Sequence, residues 1–174
     1  MTLIPTDLVL SVYPNSRGFG YVLFEGPLSP FEWGVKEIRG AAKNRRILKF
    51  IESLLTRYRP VVLVLEDWTD ETYQRIDRIN ELYVAIVALA KKKLVTVVRY
   101  PMRKIREYFA YRNATTKYEI ALHIAKIIPA FSYQVPPKPT IWRSEDARQG
   151  LYDAAAVGLC FYGCSRVSYI DGMT

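Results

Sequence analysis

Short apolar blocks punctuated by turn residues dominate the start of the chain, and longer blocks with helical spacing follow. Residues 7–13, Asp-Leu-Val-Leu-Ser-Val-Tyr, have the pattern of a strand. Pro14-Asn15-Ser16-Arg17-Gly18 supplies a turn, and residues 19–25, Phe-Gly-Tyr-Val-Leu-Phe-Glu, read as a second strand, so the pair predicts a hairpin. Gly26-Pro27 ends it, and residues 31–36 predict a third, shorter strand on the far edge. The period then changes. From Lys43 to Tyr58, Ile47, Leu48, Ile51, Leu54 and Leu55 recur at helical spacing and leave the basic residues on the other side. Residues 61–67, Val-Val-Leu-Val-Leu-Glu-Asp, are opened by Pro60 and closed by acid, the pattern of a buried central strand that carries charge to the sheet rim.

A second long helix is predicted over residues 71–91, with Ile76, Ile79, Tyr83, Ile86, Val87 and Ala90 as its buried stripe. Residues 94–98 are continuous and branched, which predicts an interior strand. Two strands joined by such a helix form a right-handed crossover and pair in parallel. Beyond Pro101 a basic helix is predicted over residues 104–110. Thr115 or Thr116 then caps another that passes Tyr118, Ala121, Leu122 and Ile124 to Ile127. Pro129, Pro136, Pro137 and Pro139 predict a rigid surface connector. The last helix is expected to begin near Ser144, with Glu145 and Asp146 in its first turn, and to run through Leu159. The tail from Ser165 receives no placement. The sum is a single α/β domain over residues 1–174: a mixed five-stranded sheet, three strands in an antiparallel meander and two parallel, flanked by helices.

Composition narrows the class of partner. A chain of 174 residues is one domain by length, and no apolar run reaches the length of a membrane span. The first residues show no basic region followed by an apolar core, so no secretory signal is expected. Cys160 and Cys164 lie one turn apart without a nearby His, which predicts reduced thiols in a cytoplasmic protein. The formal charge of +8 comes from 25 Lys and Arg against 17 Asp and Glu. Its cations cluster at Arg39, Lys43, Arg45, Arg46 and Lys49, at Lys91 to Lys93, and at Arg99, Arg103, Lys104, Arg106, Arg112 and Lys117, with Arg17 in the first turn. Nucleic acid is the natural partner of such clusters; solubility alone, or attraction to anionic lipid, is the alternative.

The carboxylates give the candidate chemistry. Strand alternation turns Glu66 and Asp67 to opposite faces, so at most one of them serves a given site, and capping the next helix is the plainer role for either. Asp153 sits on an otherwise small and apolar helix surface, where a charge is costly unless it is paired or holds a cation. An arginine partner would satisfy it without any catalytic role. Asp146, Gly150 and Asp153 share one face at spacings of four and three. If that face lies beside the strand ends, Glu66 and Asp153 converge, with Asp146 or Asp67 completing a shell. Hard oxygen ligands suit Mg2+ or Mn2+, and two such ions about 4 Å apart can drive phosphodiester hydrolysis. His123, the single histidine, has no second His at ligand spacing and reads as a plain helix residue.

The order of elements, with Leu8-Val-Leu-Ser-Val-Tyr-Pro-Asn-Ser-Arg-Gly-Phe-Gly-Tyr21, Val64-Leu-Glu66, Tyr100-Pro-Met-Arg-Lys-Ile-Arg106 and Asp153-Ala-Ala-Ala156, resembles the RuvC-type Holliday junction resolvases of the RNase H-like superfamily. The likeness covers most of residues 7–162 and rests on the ordered set. In that family an Asp ends the first strand, a Glu ends the fourth, and the last helix carries Asp-x-x-Asp. Glu66 matches the strand-four acid and Asp153 the second helix acid. Tyr13 and Gly150 stand where the other two acids are expected, and a phenol keeps its proton at neutral pH.

The resemblance implies two Mg2+ or Mn2+ ions held by Glu66 and Asp153, and with Tyr13 and Gly150 at the other two positions, Asp146, Asp67 or Glu145 would have to complete the shell. It also implies substrate contacts from Tyr100 and Lys104, a substrate-side helix beginning at Lys117, and two protomers facing a four-way junction. The expected function is a divergent metal-dependent endonuclease of branched or structured DNA. The alternatives are a catalytically silent relative that binds DNA structure, and an assembly protein that uses the same core as a scaffold.

Overall fold

The first turn sets the hairpin. The Asn15 carboxamide oxygen accepts hydrogen bonds from the backbone N–H groups of Arg17 (2.9 Å) and Gly18 (3.0 Å), which closes the reversal between β1 (Val9–Pro14) and β2 (Gly18–Gly26). The computed structural model describes residues 7–70 and 75–171, with 165–171 as backbone only. After β3 (Ser29–Glu37) come α1 (Lys43–Tyr58), β4 (Val62–Glu66), α2 (Asp77–Lys92) and β5 (Thr96–Tyr100). Then follow α3 (Met102–Ala110), α4 (Lys117–Ile127), a 3-10 turn (Pro129–Gln134) and α5 (Gln149–Asp171).

The sheet order is β3-β2-β1-β4-β5, antiparallel across the meander and parallel from β1 through β4 to β5. This is the mixed five-stranded sheet that the sequence predicts. β1 is central and every residue in it is buried. Because β1 and β4 run parallel, Tyr13 and Glu66 both arrive at the carboxyl end of the sheet.

Strand alternation divides the core in two. Leu8, Leu10, Val12, Leu63 and Leu65 pack with Ile47, Ile51, Leu82, Tyr83 and Ile86, beneath α1 and α2. Val9, Tyr13, Val22 and Val64 pack with Leu151, Ala154, Ala155 and Leu159 of α5 and with residues of α3 and α4. α5 lies directly on the sheet because its contact residues are small. A Cβ on Gly20 would stand 1.9 Å from the Gly150 carbonyl oxygen, so β2 and the start of α5 touch backbone to backbone. The Ser11 hydroxyl, fully buried, donates to the Ala154 carbonyl and ties β1 to the same helix.

Several boundaries differ from the sequence reading. The strand at 94–98 was expected in the interior; β5 (Thr96–Tyr100) is instead the edge of the sheet and only half-buried, because among the described residues no strand pairs with its outer side. The last helix starts at Gln149 rather than near Ser144, since Asp146 closes a turn by accepting from the Arg148 N–H (2.9 Å). Glu145 and Asp146 therefore precede the helix, and α5 continues through the tail to Asp171. β3 is longer than expected; α2 begins at Asp77 rather than near residue 71, and residues 71–74 of that prediction lie outside the described residues. The proline connector is not all surface: Phe131 is fully buried, and its carbonyl accepts from the Tyr152 hydroxyl at 2.6 Å.

Candidate nucleic-acid interface at the sheet rim

At the carboxyl end of the parallel strands lies a cavity of about 270 Å³ whose walls include Tyr13, Glu66, Arg75, Arg106, Lys117 and Asp153. Glu66 and Asp153, far apart in sequence, therefore share one cavity. Glu66 is on the face of β4 that also carries Val64, the α5 side, and is 1% exposed. Asp153 comes from the first turns of α5, and Lys117 is the first residue of α4.

Arg75, just ahead of α2, occupies the floor. Its Nη2 donates to the Glu66 carboxylate and, at 2.8 Å, to the Tyr13 hydroxyl. The guanidinium lies 5.2 Å from the centre of the Tyr13 ring. The Tyr83 hydroxyl donates to the same Glu66 oxygen at 3.3 Å, and the Tyr83 ring stacks on Trp68 with centres 5.0 Å apart. Burial pushes the Glu66 carboxyl up from its ordinary value, while Arg75 and the Tyr83 hydrogen bond pull it down. Burial, then the charges of Asp153 and Glu66, raise the Tyr13 phenol further above its ordinary value, so it is a neutral hydroxyl at physiological pH.

The opposite wall carries a second, looser acid and base. Lys117 Nζ stands 2.9 Å from a Glu145 oxygen and 3.7 Å from an Asp153 oxygen, and the Gln149 amide donates to Asp153 at 3.1 Å. Burial raises Asp153 to about 6, against the pull of Lys117 and Gln149. The lysine side chain is about half exposed (49%), the aspartate only 12%.

The donor set does not fit the two divalent ions that the resemblance implies. One acid is already neutralised by a buried guanidinium, the phenol is protonated, and Gly150 offers no side chain. With two carboxylates facing Arg75 and Lys117, the floor has no net charge to attract a dication. Among the described residues, no three His, Cys, Asp or Glu side chains gather as a metal group.

The other expected ligands are placed elsewhere. Asp67 is absent from the cavity walls: its carboxylate accepts from the N–H and hydroxyl of Thr69 at 3.1 and 2.6 Å, a local turn, and it does not cap α2, whose first flanking residue is Ile76. Asp146 lines a neighbouring cavity with Tyr13, Arg75 and Asp153, but Arg148 grips it through Nε and Nη2, both at 2.8 Å. That grip holds the Asp146 carboxyl below its ordinary range.

Of the expected nucleic-acid contacts, Arg106 and Lys117 line the main cavity, and Arg17 lines the neighbouring one. Tyr100 ends β5 beside Glu66 in register, with Lys104 Nζ 5.8 Å from its ring centre. Lys43 donates to the Ser16 carbonyl (2.7 Å) and Arg46 to that of Arg39 (3.0 Å), while Arg45 is exposed on α1. Arg103 pairs with Glu107 at 3.7 Å, and the Arg112 guanidinium lies 3.7 Å from the centre of the Tyr108 ring. These residues do not line the main cavity. His123 is a helix residue whose ring meets Phe109 edge-on, and the sulfurs of Cys160 and Cys164 lie 3.7 Å apart without a disulfide bond. No helix among the described residues is long and apolar enough to cross a membrane.

Sequence reasoning missed Arg75 and Gln149. A buried Glu66 demands a counter-ion, which was the one available signal; nothing local marks which cation answers it.

No protein-family model matches the chain, and no curated protein matches it in sequence. Solved structures do. Thermus thermophilus RuvC in complex with a Holliday junction substrate is 19% identical, with a TM-score of 0.63 over 94% of this chain and 97% of that one. The yeast mitochondrial Holliday junction resolvase Ydc2 is 16% identical, also with a TM-score of 0.63, over 97% of this chain and 83% of its own. The fold is that of the RuvC-type resolvases.

Proposed function

We propose that this chain recognises branched or otherwise structured DNA at the rim around Glu66 and Asp153, and holds it without two-metal hydrolysis. The observation that carries this reading is Arg75, whose guanidinium sits on Glu66 and Tyr13 where a cation-binding site would need free carboxylates. The RuvC fold, seen in one solved relative with a Holliday junction, supports the choice of ligand. Arg17, Arg106, Lys117 and the Tyr100–Lys104 pair surround the cavity with groups that suit a sugar-phosphate chain. Two protomers facing one junction belong to the same reading. An assembly role has no comparable observation behind it.

A metal-dependent nuclease is the second reading, favoured by Glu66 and Asp153 lining one cavity. It requires Arg75 to leave Glu66.

Anisotropy titrations of a labelled four-way junction and a linear duplex, repeated across a range of salt, test the proposal. The junction is expected to bind more tightly, as two protomers per junction in sedimentation. The logarithm of affinity falls linearly with that of salt, and Lys117→Met or Arg106→Met lowers the slope by about 1. Incubation with Mg2+ or Mn2+ leaves the junction intact. Affinity that ignores salt removes the recognition claim; cleavage that disappears in Glu66→Gln replaces holding with hydrolysis.

A further inference from the structure

We propose that the loop between the 3-10 turn and α5 carries a stacking site for an unstacked nucleobase, with the indole of Trp142 as its platform. This rests on the DNA-binding reading and specifies a contact that the rim alone does not provide.

The three tryptophans set the contrast. Trp33 packs on Phe131 with ring centres 5.3 Å apart, and Trp68 stacks on Tyr83. Trp142 is 93% exposed and its neighbour Ile141 is 94% exposed. An indole held fully in water contributes nothing to the fold and keeps its whole apolar face for a ligand.

The loop presents that face from a braced frame. Pro136 is buried, Pro137 and Pro139 restrict the backbone, and the Arg143 N–H donates to the Thr140 carbonyl at 3.2 Å, turning the chain at Ile141-Trp142. The far foot is tied to the rim. Ser144 accepts from Arg17 at 3.1 Å, Glu145 from Lys117 at 2.9 Å, and Asp146 from Arg148.

A cavity of about 290 Å³ along the loop is lined in part by Lys138, Arg143 and Lys117. It shares Lys117, Glu145 and Asp146 with the neighbouring cavity, which in turn shares Tyr13, Arg75, Lys117 and Asp153 with the main one. The surface from Asp153 to the loop is therefore continuous. Of its acids, Glu145 and Asp146 pair with Lys117 and Arg148, and Lys138 and Arg143 add positive charge on the loop, four positions before Trp142 and one after it. An exposed aromatic side chain flanked along the chain by two cations suits a base with its flanking phosphates, as single-strand binding surfaces do.

The experiment uses the full chain with a four-way junction, a single strand and a linear duplex. Trp142→Ala is expected to weaken junction and single-strand binding by about tenfold and duplex binding by less than about twofold, and Trp142→Phe to recover most of the loss. The melting temperature stays unchanged, and saturating single strand shields the wild-type indole emission from iodide but has no such effect in Trp142→Phe. The inference falls if Trp142→Ala binds the junction as the wild type does, if it loses duplex and junction equally, or if iodide still reaches the indole in the complex. Wild-type protein that binds no DNA overturns the proposed function along with it; DNA binding indifferent to Trp142 overturns the stacking site alone.

Discussion

Each flank of the sheet sets a base against one of the two rim acids, and the two pairs are held in different ways. From the α1–α2 flank, Arg75 makes direct contact with a fully buried Glu66, Tyr83 donates to the same carboxylate and Tyr13 accepts from the guanidinium. From the α4–α5 flank, Lys117 divides itself between Glu145 and Asp153, is half exposed, and approaches Asp153 no closer than 3.7 Å. A buried, hydrogen-bonded ion pair costs several kcal/mol to break from one side, whereas an exposed pair is worth about 0–1 kcal/mol. The first flank therefore locks its acid into the fold, and the second leaves its lysine free to exchange a carboxylate for a phosphate. In the proposed function, a rim arranged like this grips a polyanion on the lysine wall and keeps metal from the Arg75 wall.

The largest expected effect breaks the locked side. Arg75→Met leaves Glu66 buried without its cation and should cost about 3–5 kcal/mol in urea denaturation. The melting temperature should fall by roughly 10 °C. Arg75→Met with Glu66→Gln should recover most of the loss, because a neutral amide needs no counter-ion. Burial already raises the Glu66 carboxyl, so the single variant can also escape by protonation, and its deficit should shrink as the pH is lowered. A deficit no larger than that of Lys117→Met would remove the distinction between the flanks.

The pH dependence of stability sharpens the same contrast on the open side. Burial, opposed by Lys117, raises Asp153 from 3.8 to about 6 in the folded state. Between these values the folded chain binds a proton that the unfolded chain releases, so stability is greatest below about pH 4 for this group and is lost as the pH rises through about 6. The full span is about 3 kcal/mol as a ceiling. Unfolding free energies measured from pH 4 to pH 7 should fall more steeply in the wild type than in Asp153→Asn. Equal slopes would mean that Lys117 already compensates the charge.

The parts legible in the sequence were those fixed by neighbours along the chain. The Asn15 turn, the apolar stripe of α1 and the threonine cap of α4 are written within a few residues of where they act. Patterning put Glu66 at the carboxyl end of a parallel strand; Asp153 joined it only on the condition that the last helix lay beside the strand ends, which the family resemblance implied. What was lost depends on distant partners. The run at 94–98 looks alike whether a strand pairs with its outer side or not, so β5 read as interior although it is the edge. Asp146 looked like a first-turn helix acid, but its bond to Arg148 makes the turn before the helix instead. Arg75 reaches Tyr13 across 62 positions of sequence, and no spacing rule encodes that.

The smallest effect concerns how Lys117 is aimed. Thr116 caps α4 in a reciprocal box: its hydroxyl accepts from the Glu119 N–H at 3.2 Å, and the Glu119 carboxylate accepts from the Thr116 N–H at 2.9 Å. Lys117 is the next residue, so the cap fixes the direction in which its side chain leaves the helix. Thr116→Ala should cost about 1 kcal/mol, while the Glu119 carboxylate keeps its bonds from the Thr115 and Thr116 N–H groups and the Thr115 hydroxyl. In hydrogen exchange the first turn of α4 should open faster while the amides of α2 keep their protection, because the α2 flank is tied through Arg75 and Glu66 and not through the cap. Equal acceleration in α2 would show that the flanks open as one unit, and the independence assigned to the lysine side would then have no physical basis.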